Sequence, residues 1–388
     1  MPDHPVLLAA APAHLAVTEP DPLQRCDAGV VVPVGGRCTH TGKRQWELSA
    51  LTLPTSAEGV PDNRRSRSVG IGRAHGKAIL LGEHAVLYGA PALALPVPQL
   101  AVTASAGWSS HAPADAGDVS FTMTGSASGP VVTQAADGLQ RLVTEFKKTT
   151  DVAECPHLDV IVDCAIPSGR GLGSSAACGR AVILAVAQLF GRELDADAVF
   201  DLVQTAENVA HGKASGVDVV ATGASFPLQF TAETVRELRM GAVGEGFVII
   251  ADSGEFGSTK DAVELLRGGF QRVPGSQETF VRRASKLTRT AVGDLADGRV
   301  DDFGKRLTDY HELLSTAGLS TGRIDALVDA ALAAGSPGAK ITGGGLGGCM
   351  IALAREPEQG REITRRLHAA GASQTWAVPL GRFASHAP

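Results

Sequence analysis

The chain of 388 residues is 44% hydrophobic and 20% charged, an ordinary globular composition that is long enough for one large domain or two lobes. Its formal net charge of −6 argues against a basic surface for nucleic acid or for an anionic membrane. No apolar run reaches the roughly 18 residues that a membrane span needs, and the start lacks the cationic region of a secretory signal. Because the 6 cysteines form no C-x-x-C pair, we expect a cytoplasmic protein with reduced thiols.

Residues 1–68 differ from the rest of the chain. They are rich in Pro, Gly and Ala, lack helical or strand periodicity, and end in the polar run "PDNRRSRS". We expect a mostly disordered extension, and a small regulatory arm is the alternative.

From Val69 the chain becomes densely patterned, and strands and helices can be predicted in order. Short apolar runs bounded by Gly and Pro predict buried strands within 78–98, 118–125 and 157–164. Apolar spacing predicts helices over 174–190, 195–211, 259–268, 276–297, 300–317, 321–335 and 357–370. Further strands are predicted near 226–231, 246–252, 338–342, 349–354 and 374–379. This order favours an α+β protein with two lobes, 69–228 and 229–388.

The stretch "IPSGRGLGSSAA", Ile166 to Ala177, is a glycine-rich loop that leads directly into a predicted helix. Its glycines allow the backbone to approach a ligand closely, and Ser174 and Ser175 open the helix. A helix N-terminus behind such a loop is suited to phosphate. The loop matches neither the common phosphate loop with its lysine nor the dinucleotide fingerprint. A plain loop with a serine cap is the alternative.

Two acidic residues follow at positions that need an explanation. Val199, Val203 and Glu207 fall at i, i+4 and i+8, so a carboxylate continues an apolar stripe. Such a carboxylate is either half of a buried salt bridge or a magnesium ligand beside phosphates. In "HGKASGVD" a turn of Gly and Ser would hold Asp218 rigidly, although a lone loop acid is more often a turn-former.

Two further stretches carry candidate ligand-binding residues. "GKAILLGEHAVLYG" places Lys77 at the head of an apolar run, with Glu83 and His84 just after it. "KITGGGLGGCMIAL" puts five glycines into 343–348 between two strand-like runs. Because hydrophobic residues anchor both ends, we expect this loop to close over a ligand rather than to be merely flexible.

Taken together and in this order, these stretches resemble the motifs of the GHMP small-molecule kinases. "DSGEFGSTKDAV", Asp252 to Val263, also resembles a segment near the substrate in that family. The resemblance covers about residues 69–380 and leaves the first 68 without a counterpart. It implies a ribosomal-protein-S5-domain-2-like N-terminal lobe, a ferredoxin-like C-terminal lobe and an active cleft between them. It also implies ATP as co-substrate and Mg²⁺ as cofactor.

The resemblance assigns roles residue by residue. Asp218 and Lys77 match the catalytic pair, and Ser175 and Glu207 match the magnesium ligands. The acceptor side would involve Glu83, His84, Thr259 and Gly343. The ATP phosphates would be held by the loop, at Pro167, Gly169, Arg170, Gly171, Leu172, Gly173, Ser174 and Ser175.

Among the branches of the family, the motifs are most similar to those of the mevalonate kinases, so ATP and mevalonate are the expected ligands. Galactokinases continue the Gly-Glu-His motif with an Asp-Tyr pair, where this chain has Ala85 and Val86. Phosphomevalonate kinases are the nearest alternative, and a non-catalytic nucleotide-binding regulator on the same fold is a remote one. Neither nucleic acid nor membrane is an expected partner, and a homodimer is compatible with the resemblance.

Overall fold

The computed structural model describes residues 36–38, 44–46, 69–109, 119–126, 131–152, 157–211, 214–238, 240 and 246–380. Strands of the first part of the chain form one sheet, ordered β2-β1-β8-β7-β4-β6-β5 with β3 also paired to β4. These strands are β1 Gly36–Cys38, β2 Arg44–Trp46, β3 Val69–Leu81, β4 Ala92–Trp108, β5 Val119–Gly125, β6 Leu158–Cys164, β7 Leu228–Phe230 and β8 Thr234–Glu237.

The long strand β4 organises this sheet. It pairs along one edge with β3, and along the other edge with β7 near its start and β6 near its end. The pairing of β3 with β4 shifts register between His75 and Gly76, directly before Lys77. Between β3 and β4 the chain makes a short 3₁₀ helix, Ala85–Tyr88. Lys77 therefore lies within β3 just after this register shift, and Glu83 and His84 lie between the end of β3 and the 3₁₀ helix.

Helices of the first part of the chain contact this sheet: α1 Val131–Thr149, α2 Ser174–Leu189 and the single turn α4 Val217–Ala221. Helix α3 Ala196–His211 packs on these helices. Helix α2 lies directly on β3 because Gly70 and Gly72 have no side chain. A Cβ atom on Gly72 would lie 1.9 Å from the carbonyl oxygen of Ala181, and one on Gly70 would lie 2.0 Å from that of Ala185. Residues of α2 beyond its first turn are mostly buried. The helix behind the glycine-rich loop is therefore fixed to the sheet.

The first sheet extends past residue 228, where the lobes were predicted to divide. Strands β7 and β8 fall at or beyond residue 228, yet β7 pairs with β4 and β8 pairs with β7. The first sheet therefore continues to Glu237. The short strands β1 and β2 fall within the segment predicted to be disordered, and β1 pairs with β8. The remainder of that segment lies outside the described residues.

The second lobe contains a four-stranded antiparallel sheet in the order β10-β11-β9-β12. Its strands are β9 Phe247–Asp252, β10 Ala339–Thr342, β11 Cys349–Ala354 and β12 Gln374–Pro379. Its helices are α5 Thr259–Arg272, α6 Ser276–Ala296, α7 Val300–Thr316, α8 Gly322–Ala333 and α9 Pro357–Ala369. Helix α9 returns the chain from β11 to β12, and this order of strands is the ferredoxin-like arrangement that was expected.

Most predicted elements after residue 174 agree with the structure to within a few residues, and the strands predicted over 349–354 and 374–379 agree at both ends. Helix α1 was not predicted, although Leu139, Leu142, Val143 and Phe146 are buried at helical spacing. Within the described residues, no helix is both long enough and apolar enough to span a bilayer.

Candidate active site

The glycine-rich loop joins β6 to α2 and presents the start of that helix. Gly169, Gly171 and Gly173 have φ angles of 68°, 75° and 78°, in the left-handed region that glycine adopts without strain. Gly173 occupies the N-cap position of α2 and has no side chain to bond the first backbone N–H groups. These groups are suited to an anion. Ser174 is half-buried and Ser175 is exposed at this helix start.

Leu172 and Pro167 belong to the same loop. The side chain of Leu172 is fully buried in the core, and its carbonyl oxygen accepts a hydrogen bond from the backbone N–H of Lys77 at 3.0 Å. Pro167 is half-buried where the loop begins. Because Leu172 anchors the loop to β3, only main-chain groups remain at that position to face a ligand.

Lys77 and Asp218 lie in direct contact. The Nζ of Lys77 is 3.0 Å from Oδ1 of Asp218, and it also donates to the carbonyl oxygen of Gly171 at 3.0 Å. The side chain of Lys77 is 3% exposed and that of Asp218 is 40% exposed. Asp218 lies in the first turn of α4, which starts after Gly216 with a φ of 88°. A buried ammonium thus connects the glycine-rich loop to a carboxylate that is open to solvent.

Ser175 and Glu207 form a second polar pair at the start of α2. The hydroxyl of Ser175 donates to Oε1 of Glu207 at 2.6 Å. Glu207 is buried on α3, as the apolar stripe predicted. A hydroxyl and a carboxylate beside a helix start that is suited to phosphate fit Mg²⁺, which takes few protein oxygens and completes its shell with water and phosphate. The described residues contain no group of three or more His, Cys, Asp or Glu side chains that could enclose a metal by themselves.

Glu83 is paired with a lysine from the other lobe. Lys340 of β10 is fully buried, and its Nζ donates to Oε1 of Glu83 and to the carbonyl oxygen of Ile341 at 2.5 Å. Burial raises the pKa of Glu83 and lowers that of Lys340, whereas their mutual attraction opposes both shifts. Among the described residues, Oε2 of Glu83 has no hydrogen-bond partner. This oxygen is therefore a buried acceptor at the junction of the lobes, without a donor in the described part of the chain.

His84 is held in a constrained position. Its φ of 60° is in the left-handed region, which is uncommon for a residue other than glycine. Its side chain is buried and is hydrogen-bonded to the backbone of Gly344 in the second glycine loop. Burial lowers the pKa of His84 to about 4, so the ring is neutral near pH 7.

The second glycine loop, residues 343–348, packs tightly against the first. A Cβ atom on Gly343 would lie 2.6 Å from Cα of Gly171, so the two backbones are in contact. Thr259 begins α5, and its Oγ1 would lie 2.3 Å from a Cβ atom on Gly344. Thr259 therefore lies against the second glycine loop, next to Gly343.

Arg170 lies in the loop that is predicted to hold the phosphates. Its guanidinium binds the segment after β9. Its Nε lies 3.0 Å from Asp252, and its two terminal nitrogens donate to the carbonyl oxygens of Gly254 and Glu255 at 3.1 and 2.5 Å. With all three nitrogens engaged, only the backbone of Arg170 can face a phosphate.

Sequence reasoning missed Lys340, Asp252 and Tyr310. Lys340 stands inside a short strand whose members are all buried, and a lysine in such a run was an available signal. Asp252 ends the apolar run of β9. The hydroxyl of Tyr310 donates to the carbonyl oxygen of Glu83 at 3.1 Å, and no local pattern marks this contact between residues 227 positions apart.

Comparisons with known proteins identify the family of the chain. Residues 132–225 match the family model of the GHMP kinases N terminal domain, and residues 291–373 match that of the GHMP kinases C terminal domain. A mevalonate kinase of Pyrococcus horikoshii is 30% identical over 317 residues, covering 76% of this chain and 91% of the relative. A mevalonate kinase of Aeropyrum pernix is 31% identical over 300 residues, covering 75% and 90%.

Similarity to solved structures establishes the fold independently. The crystal structure of L. major mevalonate kinase in complex with R-mevalonate superimposes with a TM-score of 0.70 at 20% identity, covering 83% of this chain and 98% of that one. The mevalonate kinase of Methanococcus jannaschii gives a TM-score of 0.67 at 22% identity. The predicted α+β architecture of two lobes is confirmed.

Proposed function

Since the chain belongs to the mevalonate kinase family of the GHMP kinases, we propose that it transfers the γ-phosphoryl group of ATP to the C5 hydroxyl of mevalonate. The observation that carries this proposal is the contact between Lys77 and Asp218 beside the glycine-rich loop. Phosphoryl transfer needs little covalent chemistry from the protein and depends on positioning and charge stabilisation. A fixed ammonium, a solvent-open carboxylate and a helix start within one cleft supply these requirements.

The ATP phosphates would bind at the start of α2. The backbone of Gly169, Gly171 and Gly173 and the N–H groups of Ser174 and Ser175 would face them. Ser175 and Glu207 would hold Mg²⁺, which neutralises phosphate charge when it is bound. The helix start adds positive potential that is already in place before the reaction.

Asp218 would accept or orient the proton of the acceptor hydroxyl. Its carboxylate is 40% exposed, so a substrate can reach it, and it is held at the N-terminal end of α4. Lys77 would stabilise negative charge that develops on the transferring group, since its ammonium is fixed by Asp218 and by the carbonyl oxygen of Gly171. Both side chains therefore act on the reacting atoms.

The acceptor would be held where the lobes meet. The polar groups proposed for a small hydroxy acid are Glu83, Thr259 at the start of α5 and the backbone of Gly343. His84 contributes a neutral ring that orients the second glycine loop through Gly344. The free, buried thiols of Cys164, Cys178 and Cys349 support a reducing compartment such as the cytoplasm.

A panel of acceptors tests the proposal. Purified full-length protein is incubated with Mg-ATP and, separately, with mevalonate, phosphomevalonate, galactose and homoserine, and ADP release is followed by a coupled assay. We expect turnover that requires mevalonate and a product whose phosphorus signal is that of a phosphate monoester. Turnover with phosphomevalonate instead would reassign the substrate. ATP binding without turnover for any acceptor would favour a nucleotide-binding regulator.

A further inference from the structure

Arg170 joins the glycine-rich loop of the first lobe to the segment after β9 of the second lobe. Its Nε lies 3.0 Å from the carboxylate of Asp252, whose side chain is 7% exposed. The other two nitrogens donate to the backbone carbonyl oxygens of Gly254 and Glu255. The planar guanidinium thus contacts three residues of one turn, which a lysine at this position cannot do.

The turn that Arg170 binds, residues 252–255, is held by further hydrogen bonds. Oδ1 of Asp252 accepts from the backbone N–H of Gly254 at 2.8 Å. The hydroxyl of Ser253 donates to the carbonyl oxygen of Gly348 at 2.7 Å, and the N–H of Gly348 donates to that of Glu255 at 3.0 Å. A shift of Arg170 is therefore transmitted to the second glycine loop as well as to the turn.

Two further contacts strengthen the same junction. The N–H of Gly257 donates to the carbonyl oxygen of Gly169 at 2.9 Å. The ring of Phe256 lies against Gly169 so closely that a Cβ atom there would be 2.0 Å from the ring. The junction lies between the proposed phosphate site and Thr259, the first residue of α5 on the proposed acceptor side.

We propose that Arg170 is a positioning residue that couples ATP binding to acceptor binding across the lobes, an inference that rests on the proposed function. A nucleotide that orders the glycine-rich loop also fixes Arg170 and, through Asp252, the turn that leads to Thr259. The acceptor then meets a segment that is already ordered. By linkage, the acceptor increases the affinity for nucleotide by the same factor.

Arg323 provides a matched control, because it contacts the same turn from within the second lobe. Its Nε donates to the carbonyl oxygen of Ser253 at 3.4 Å, and its Nη2 donates to that of Gly371 at 2.5 Å. Arg323→Ala removes an arginine from this turn without touching the glycine-rich loop. A purely structural role of arginines at the turn would affect both variants alike.

The test measures the affinity of a non-hydrolysable ATP analogue by calorimetry, with Mg²⁺, in the absence and presence of saturating mevalonate. We expect mevalonate to tighten analogue binding by about 5-fold or more in the unmodified protein and in Arg323→Ala. In Arg170→Ala the enhancement should fall below about 2-fold, and Arg170→Lys should recover part of it through Asp252. If Arg170→Ala unfolds, Arg170→Lys and Asp252→Asn carry the same test.

Several outcomes overturn the inference. Full enhancement in Arg170→Ala, or equal loss in Arg323→Ala, would show that Arg170 does not couple the sites, and so would the absence of enhancement in the unmodified protein. Mevalonate-dependent ATP turnover is measured on the same preparation. Its presence together with one of these outcomes rejects only the coupling role, whereas its absence rejects the proposed function.

Discussion

The ammonium of Lys77 lies 3.0 Å from Oδ1 of Asp218 and equally 3.0 Å from the carbonyl oxygen of Gly171. One side chain therefore fixes the distance between the proposed reacting carboxylate and the loop proposed to hold the phosphates. The side chain reaches both from β3, and its own backbone N–H is tied to Leu172. The side chain of Lys77 thus connects the proposed catalytic pair directly to the proposed nucleotide site.

Replacing Lys77 by methionine should remove this connection while preserving the fold. Asp218 is 40% exposed, so the carboxylate left without its partner remains in contact with water and does not become a buried charge. We expect kcat to fall by about 10²-fold or more, on the scale of a lost charge-stabilising group. Steady-state kinetics with ATP and mevalonate measure the loss, and a thermal melt near that of the unmodified protein serves as the control. A near-normal kcat would remove Lys77 from the mechanism.

Glu207→Gln should alter the dependence on magnesium rather than the fold. The amide keeps the shape of the carboxylate and can still accept from Ser175, but it binds Mg²⁺ weakly. We expect the Mg²⁺ concentration for half-maximal rate to rise and the maximal rate to fall. Ser175→Ala should change both in the same direction and less strongly. An unfolded Glu207→Gln protein, or one with unchanged magnesium dependence, would support a structural ion pair instead.

Removing only one member of the buried pair of Lys340 and Glu83 should destabilise the protein. Lys340→Met leaves the carboxylate of Glu83 buried without its cation, which typically costs about 3–5 kcal/mol of unfolding free energy. Glu83→Gln in the same protein removes that charge and should recover part of the loss. Urea denaturation of the two single variants and the double variant measures the coupling. Strict additivity of the two effects would show that the pair does not connect the lobes energetically.

Burial of His84 should make the protein less stable in mild acid. The unfolded chain binds a proton at this side chain below pH 6.5, whereas the folded chain does so only below about pH 4. The contribution of His84 to the free energy of unfolding is therefore fully present above pH 6.5. It is lost progressively as the pH falls from 6.5 towards 4, by roughly 3 kcal/mol in full.

The variant His84→Asn should lose less stability over the same pH interval. It removes the titrating group and is compatible with the left-handed backbone of residue 84, which has a φ of 60°. Chemical denaturation from pH 7 to pH 4.5 compares the two proteins. Parallel curves would mean that His84 does not contribute to acid sensitivity.

Sequence patterns predicted helices and strands well where the whole pattern lies within one short segment of the chain. The stripe that includes Val203 and Glu207 predicted a buried carboxylate on α3, and Glu207 is buried there. Helix α2 was predicted over 174–190 and is observed over Ser174–Leu189. These features depend on the spacing of apolar residues within one short segment, which can be read from the sequence alone.

Contacts between distant segments could not be predicted in the same way. Arg170 lies in the glycine-rich loop, and its partner Asp252 lies 82 positions later. Lys340 lies 257 positions from Glu83. The short strands β7 and β8 show no local pattern that assigns them to one sheet or the other. Their sheet follows from pairing with β4 and with each other.

The variant Asp218→Asn tests the central claim most directly, because it separates nucleotide binding from chemistry. Asparagine keeps the size of the side chain and much of its hydrogen bonding but can neither take a proton nor place a negative charge beside Lys77. The phosphates would be held by the loop and the start of α2, so calorimetry should give an affinity for an ATP analogue close to that of the unmodified protein. Turnover with mevalonate should fall by about 10²-fold or more. A kcat near that of the unmodified protein would contradict the account.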